Sequence, residues 1–261
     1  MTPHHGATGW DLFEGTVLVL LLLGAAGYAT GLWAARHRGP WPPHRTVLWH
    51  AGLLCAAAAL AGPLAEAART GFTAHMAGHL LLGMAAPLLL VLAAPVTLAL
   101  RALPAARART VSRLLRTPPV RALTHPVVAG LLNAGGLWLL YTTGLYGRMH
   151  ESVGVHAAVH AHVLLAGYVF TAAVVGVDPD PHRGSFPLRA AVLVGFLAAH
   201  SALAKHLYGH PPEGVGTSDA RVGAQLMYYG GDVVDVALIV ALFAQWYVSG
   251  RPRTRVVRST A

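Results

Sequence analysis

Seven stretches of the chain are almost continuously apolar and are separated by turn and charge signals, at 15–35, 47–67, 73–100, 127–146, 153–177, 188–206 and 222–248. Each is near or above the roughly 20 apolar residues that a helix needs to cross a bilayer. The pattern predicts an all-α, polytopic membrane protein. It has one transmembrane helical domain over 1–261, and no soluble segment of domain size is left over. Seven is odd, so the two termini face opposite sides.

Charge sets the direction. The first apolar run has no basic segment before it and is followed at once by Arg36, Arg38 and Arg45, which reads as a retained anchor with its N-terminus outside. With that orientation, fifteen of the 19 Lys and Arg residues fall on the inner side, in the 36–45, 101–121, 183–189 and 251–258 segments. Only Arg69, Arg148, Lys205 and Arg221 fall outside. Short loops with that asymmetry follow the positive-inside rule, which predicts a C-terminus in the cytoplasm of a bacterial cell.

Composition agrees with the pattern. The chain is 55% hydrophobic and 11% charged, against about a quarter charged for soluble domains. A net charge of +9 raises nucleic acid as a partner, but the arginines flank apolar spans and no basic module interleaved with aromatics is present. Anionic lipid headgroups at the inner face are the expected partner of these arginines, with 105–121 as a surface helix dipping Val111, Leu114 and Leu115 inward. The one cysteine, Cys55, leaves no disulfide or cysteine metal motif and reads as a small core residue.

Histidine is the unusual residue, at 16 copies. The predicted topology puts eleven of them in the outer half and five in the inner half, opposite to the arginine bias. His75 with His79 and His156 with His160 are i, i+4 pairs, so both rings of each pair project from one helix face and can meet one ion. Measured from the outer ends of their spans, His75 and His156 lie about 5 Å down, His79 and His160 about 10 Å down, and His200 roughly 9 Å down. Polar groups at such depth face one another or a polar pathway, so the five predict a metal site. A structural or proton-conducting histidine network and a bis-His haem site are the alternatives, haem less so because it draws one histidine from each of two helices.

Other residues stand near this set. His162 points about 160° away from His160 and reads as an indirect or neighbouring-helix partner. Met76 and Met227 offer thioethers, which with imidazole suit Cu(I). In the last span Tyr228, Asp232 and Asp235 recur at helical spacing. Asp232 is expected to orient a ligating imidazole or to accept a proton when the ion leaves.

The segment HMAGHLLLGMAAPLLLVLAAP with Arg101, the His125-Pro126 pair, the HAAVHAH stretch and GAQLMYYGGD resemble, in order and spacing over 47–247, the CtaG family of bacterial cytochrome c oxidase assembly factors associated with caa-type oxidases. These are distinct from the single-span, cysteine-bearing copper chaperone of the same name. The resemblance implies a seven-span fold and a role in helping copper reach the catalytic subunit of a haem-copper oxidase. Where the family often carries Gln before the second His of its first motif this chain has Gly78, so a role there does not transfer. A copper or other metal transporter using the same outer site is the competing function. It should show polar groups continuing inward, whereas VALIVALFAQWYV below Asp235 is almost wholly apolar. No nucleophile motif, phosphate loop or cofactor fingerprint is present, so a non-enzyme is expected.

Overall fold

The computed structural model of the protein describes residues 5–249. His4, Arg251, Arg253, Arg255 and Arg258 lie outside the described residues. Within them the chain is helical: α1 (His5–Ala35), α2 (Pro43–Leu60), α3 (Pro63–Ala68), α4 (Phe72–Leu80), α5 (Ala86–Leu92), α6 (Pro95–Ala102), α7 (Ala105–Leu114), α8 (Pro118–Leu123), α9 (Pro126–Thr142), α10 (Leu145–Glu151), α11 (Val153–Val175), α12 (Phe186–Gly209) and α13 (Thr217–Ser249).

Five helical stretches are long and apolar enough to cross a membrane: Gly9–Arg38, Phe72–Ala102, Val153–Val175, Phe186–Gly209 and Thr217–Ser249. The bent pair α9 and α10, at 78°, makes a sixth if taken as one span. The segment expected as the second span is different. Helix α2 has 18 residues, about 27 Å of rise, but its first turns carry His44, Arg45 and His50, and Gly62 at φ 78° with Pro63 ends it. The seven expected spans therefore correspond to five long helices, one broken helix and one short, more polar helix. The whole is a multi-pass membrane protein.

The third expected span, 73–100, is Phe72–Ala102 in the structure and forms the axis of the bundle, and its irregularities have sequence causes. After His79 the helix widens into a π turn, Leu81–Ala85. Pro87 cannot donate to the carbonyl four residues back, and its ring would collide with it, which frees the Gly83 carbonyl. That carbonyl abuts Gly167 of α11 so closely that a Cβ there would strike it. A second break precedes Pro95, where Ala94 takes the left-handed φ 53°, ψ 54°, the one non-glycine residue with positive φ among the described residues.

Both helix starts in this stretch are capped from a distance by an aspartate, in the same way. Asp219 accepts from the backbone N–H of Phe72 (2.6 Å) and Thr73 (3.0 Å) and from the Thr73 hydroxyl (2.6 Å). Asp178 accepts from the N–H of Val96 (3.1 Å) and Thr97 (2.7 Å) and from the Thr97 hydroxyl (2.6 Å). Each carboxylate satisfies helix-start donors that have no intrahelical partner.

Helix α13 lies along α4 and α12, α11 lies between α5 and α9, and α2 packs on α5. Small residues permit these approaches, as expected where lipid removes the hydrophobic drive between helices. A Cβ at Gly223 would stand 2.6 Å from Phe72 Cδ1, and one at Gly231 2.7 Å from His200 Cε1. The surface segment expected at 105–121 is two helices, α7 and α8, because Pro118 and Pro119 interrupt it. Val111 and Leu115 are half-buried and Leu114 is exposed.

Candidate metal centre

At the end of the bundle where α4 begins, four helices and a bend bring six imidazoles together. Helix α4 places His75 and His79 on its buried face, α11 brings His156 and His160, and α12 brings His200. The sixth is His150 of α10. Thr142 and Thr143 turn their hydroxyls back onto the Trp138 and Leu139 carbonyls, both at 2.6 Å. The chain then bends by 78°, which folds Tyr146 and His150 over the cluster.

The rings form two linked groups. In the first, His75 is flanked by His150 at 6.1 Å and His160 at 6.4 Å between centroids, and His160 stacks on His156 at 4.0 Å. In the second, His79 stacks near His200 at 5.9 Å. Tyr141 stands between them, with its hydroxyl 3.0 Å from His75 Nε2 and its ring 6.5 Å from that of His79. The two i, i+4 pairs are thus staggered: His160, rather than His156, faces His75. The ring of His156 instead meets Trp10 and Phe13 of α1, at 4.8 and 5.1 Å.

Hydrogen bonding sets which nitrogen each ring presents. His160 Nδ1 donates to the His156 carbonyl (2.9 Å) and His150 Nδ1 to the Tyr146 carbonyl (2.8 Å). In neutral rings this leaves the Nε2 lone pair of each available, the arrangement common to metal-binding histidines. His79 Nε2, His200 Nε2 and His156 Nδ1 are buried without any hydrogen-bond partner. An unpaired polar atom away from water costs about 1–3 kcal/mol, so three of them in one cluster mark a place where stability yields to chemistry.

Two imidazoles sharing an ion through metal–nitrogen bonds of about 2 Å have centroids roughly 5–6 Å apart, near the 5.9 to 6.4 Å found across helices. Among the described residues, however, no three His, Cys, Asp or Glu side chains stand in ligating geometry. Capture of an ion by three ligands therefore requires the rings to rotate.

The remaining predicted residues are scattered. Met76 and Met227 are fully buried in the apolar cluster with Phe72, Leu203 and Leu207. His162 is exposed, its Nε2 donating to the Leu132 carbonyl of α9 at 3.2 Å. Tyr228 faces Lys205, whose Nζ lies 5.4 Å over its ring. Asp232 is on the exposed face of α13, and the orienting role expected of it has no geometric support. Asp235 is the buried carboxylate, with Oδ1 unpartnered, one turn and about 6 Å along the axis from Gly231, on which His200 rests. His150, Tyr141 and Tyr146 were not singled out from sequence. The Thr142-Thr143-Gly144 breaker beside them was the available signal.

Residues 26–249 match the family model described as cytochrome c oxidase caa3 assembly factor. The chain is also similar to uncharacterized proteins of Mycobacterium bovis and Mycobacterium tuberculosis, each 29% identical over 76% of this chain and 34% of the relative. A third, from Mycobacterium leprae, is 29% identical over 93% of this chain and 43% of the relative. The chain thus spans between a third and a half of the length of the curated relatives it matches. No solved structure matches it.

Proposed function

The chain belongs to the cytochrome c oxidase caa3 assembly factor family, and from that premise we propose that it carries copper as cargo to the catalytic subunit of the oxidase. The carrier works in the bacterial cytoplasmic membrane with its N-terminus outside, and it performs no catalysis of its own. Copper enters from the outer side, is held among His75, His79, His156, His160 and His200, and passes laterally to the oxidase. The single observation behind this reading is the set of buried imidazole nitrogens without partners, at His79, His156 and His200. Imidazole without thiolate, with Met76 and Met227 close by in the core, suits Cu(I) and a grip weak enough to release it.

Handover is helped because no three ligands stand in fixed geometry among the described residues, since a cage closed at rest would hold its cargo too firmly. The inner arginines hold the carrier against anionic headgroups. The test is metal analysis of protein purified without a His-tag. Replacement of His75 and His79, or of His156 and His160, by Ala is expected to abolish bound copper while the protein stays in the membrane. Replacement of His37, His44 and His182 leaves copper unchanged. In a deletion strain the oxidase polypeptides are made but lack copper. Full oxidase activity in that strain at limiting copper would overturn the assembly role, and copper flux in proteoliposomes would then favour transport.

A further inference from the structure

A small polar cavity of about 270 Å³ lies at the same end of the bundle and shares His150 with the imidazole cluster. Its walls come from the α3–α4 junction (Arg69), from α10 (Tyr146, Gly147 and His150) and from the approach to α13 (Glu213 and Asp219). Two of its three charged groups are already engaged. Both Asp219 oxygens cap α4, and Arg69 pairs with Glu14 and lies 4.6 Å over Trp10. What the cavity offers a visitor is the exposed Glu213 carboxylate, which has no bond to another described residue, and the Nε2 of His150. That nitrogen keeps its lone pair because Nδ1 donates to the Tyr146 carbonyl. His150 is half-buried, and its ring is 6.1 Å from that of the buried His75.

A larger cavity, about 580 Å³ between α9 and α11, offers a cation almost nothing. Its lining is apolar apart from His162, whose Nε2 is already bonded to the Leu132 carbonyl.

Resting on the copper reading above, we infer that the small cavity is the loading port of the cluster, that Glu213 draws the cation in, and that His150 is its first ligand. The ion bonds to His150 Nε2. A bond to a His75 ring nitrogen then forms as the His150 bond breaks. The ion keeps its charge throughout, and no electron or proton is transferred. His150 therefore governs how fast copper arrives, and the buried imidazoles govern how much is held.

The test follows Cu(I) transfer from a coloured bicinchoninate complex to the full chain in detergent, by loss of chelator colour. His150→Ala is expected to slow loading about tenfold, the scale on which a displaced metal-site partner acts, with the final copper per protein unchanged. Glu213→Gln slows loading about threefold at low salt and not at high salt, because its field is screened. A Cβ at Gly147 or Gly209 meets no atom within 4 Å. Gly147→Phe puts bulk into the port without removing a ligand and slows loading, whereas Gly209→Phe, away from it, does not.

Wild-type rates in both His150→Ala and Gly147→Phe would overturn the port. A fall in final copper in His150→Ala would do so too, making His150 a resident ligand. If the wild-type chain takes up no more copper than His75→Ala/His79→Ala, the copper reading itself fails. If that double variant loses copper while the port variants load normally, only the port fails.

Discussion

Two buried polar centres sit at opposite ends of this bundle and differ in how far their polar atoms are engaged. At one end, Arg189 of α12 donates to the Val174 carbonyl (2.8 Å) and to Gln245 Oε1 (3.2 Å), and Gln245 Nε2 donates to the Val175 carbonyl (2.7 Å). The two side chains occupy carbonyls that the last turn of α11 leaves without intrahelical donors. At the other end, the six imidazoles leave three buried nitrogens unpaired. The first centre spends most of its polarity on holding three helices together, with the Arg189 Nε alone left unpaired. The second leaves three ring nitrogens of one cluster unspent, which suits a site that something else is to occupy.

The sharpest way to break this contrast is to exchange the consequences. Arg189→Ala leaves buried acceptors without donors and is expected to lower stability by about 3 kcal/mol, read as thermal unfolding in detergent. The copper held by the folded fraction stays at the wild-type level. Loss of copper at unchanged stability would mean that the arginine end belongs to the site.

The matched aspartate caps sharpen the comparison. Asp219→Ala and Asp178→Ala remove the same three hydrogen bonds from the same kind of helix start, and each is expected to cost about 1.5 kcal/mol. Their effects on copper should differ. Asp219 fixes the turn that begins at Phe72 and carries His75, so its loss weakens copper affinity about tenfold, as measured by chelator competition. Asp178 fixes the far end, and its loss leaves affinity unchanged. Equal affinities in the two variants would show that the start of α4 does not position the ligands.

The smallest effect on stability, and the most telling sign, belongs to His200→Leu. This change removes a buried nitrogen that has no partner and keeps most of the volume against Gly231. Stability is expected to stay level or to rise by up to about 1 kcal/mol, while copper affinity falls. A clear loss of stability would show that His200 is a bonded core residue after all.

Much of this was legible in one dimension. Apolar run length located the long helices, because crossing a bilayer sets a minimum number of apolar residues whatever the neighbours are. The i, i+4 spacing of His75 with His79 and His156 with His160 put each pair on one face, because helical pitch alone dictates that. What pitch does not dictate is how far a helix is rotated, or how far it slides, relative to the next one. That is why His160 rather than His156 meets His75, and why Asp235 points into the bundle while Asp232 faces out. Only packing at Gly167, Gly223 and Gly231 decides those two quantities. The bend after Thr142, which carries His150 to His75 across 75 residues of chain, lies beyond any local pattern. The kinds of ligand and their local pairing are properties of the sequence. Which of them meet is a property of the tertiary structure, because contact between helices depends on rotation and offset that no single helix encodes.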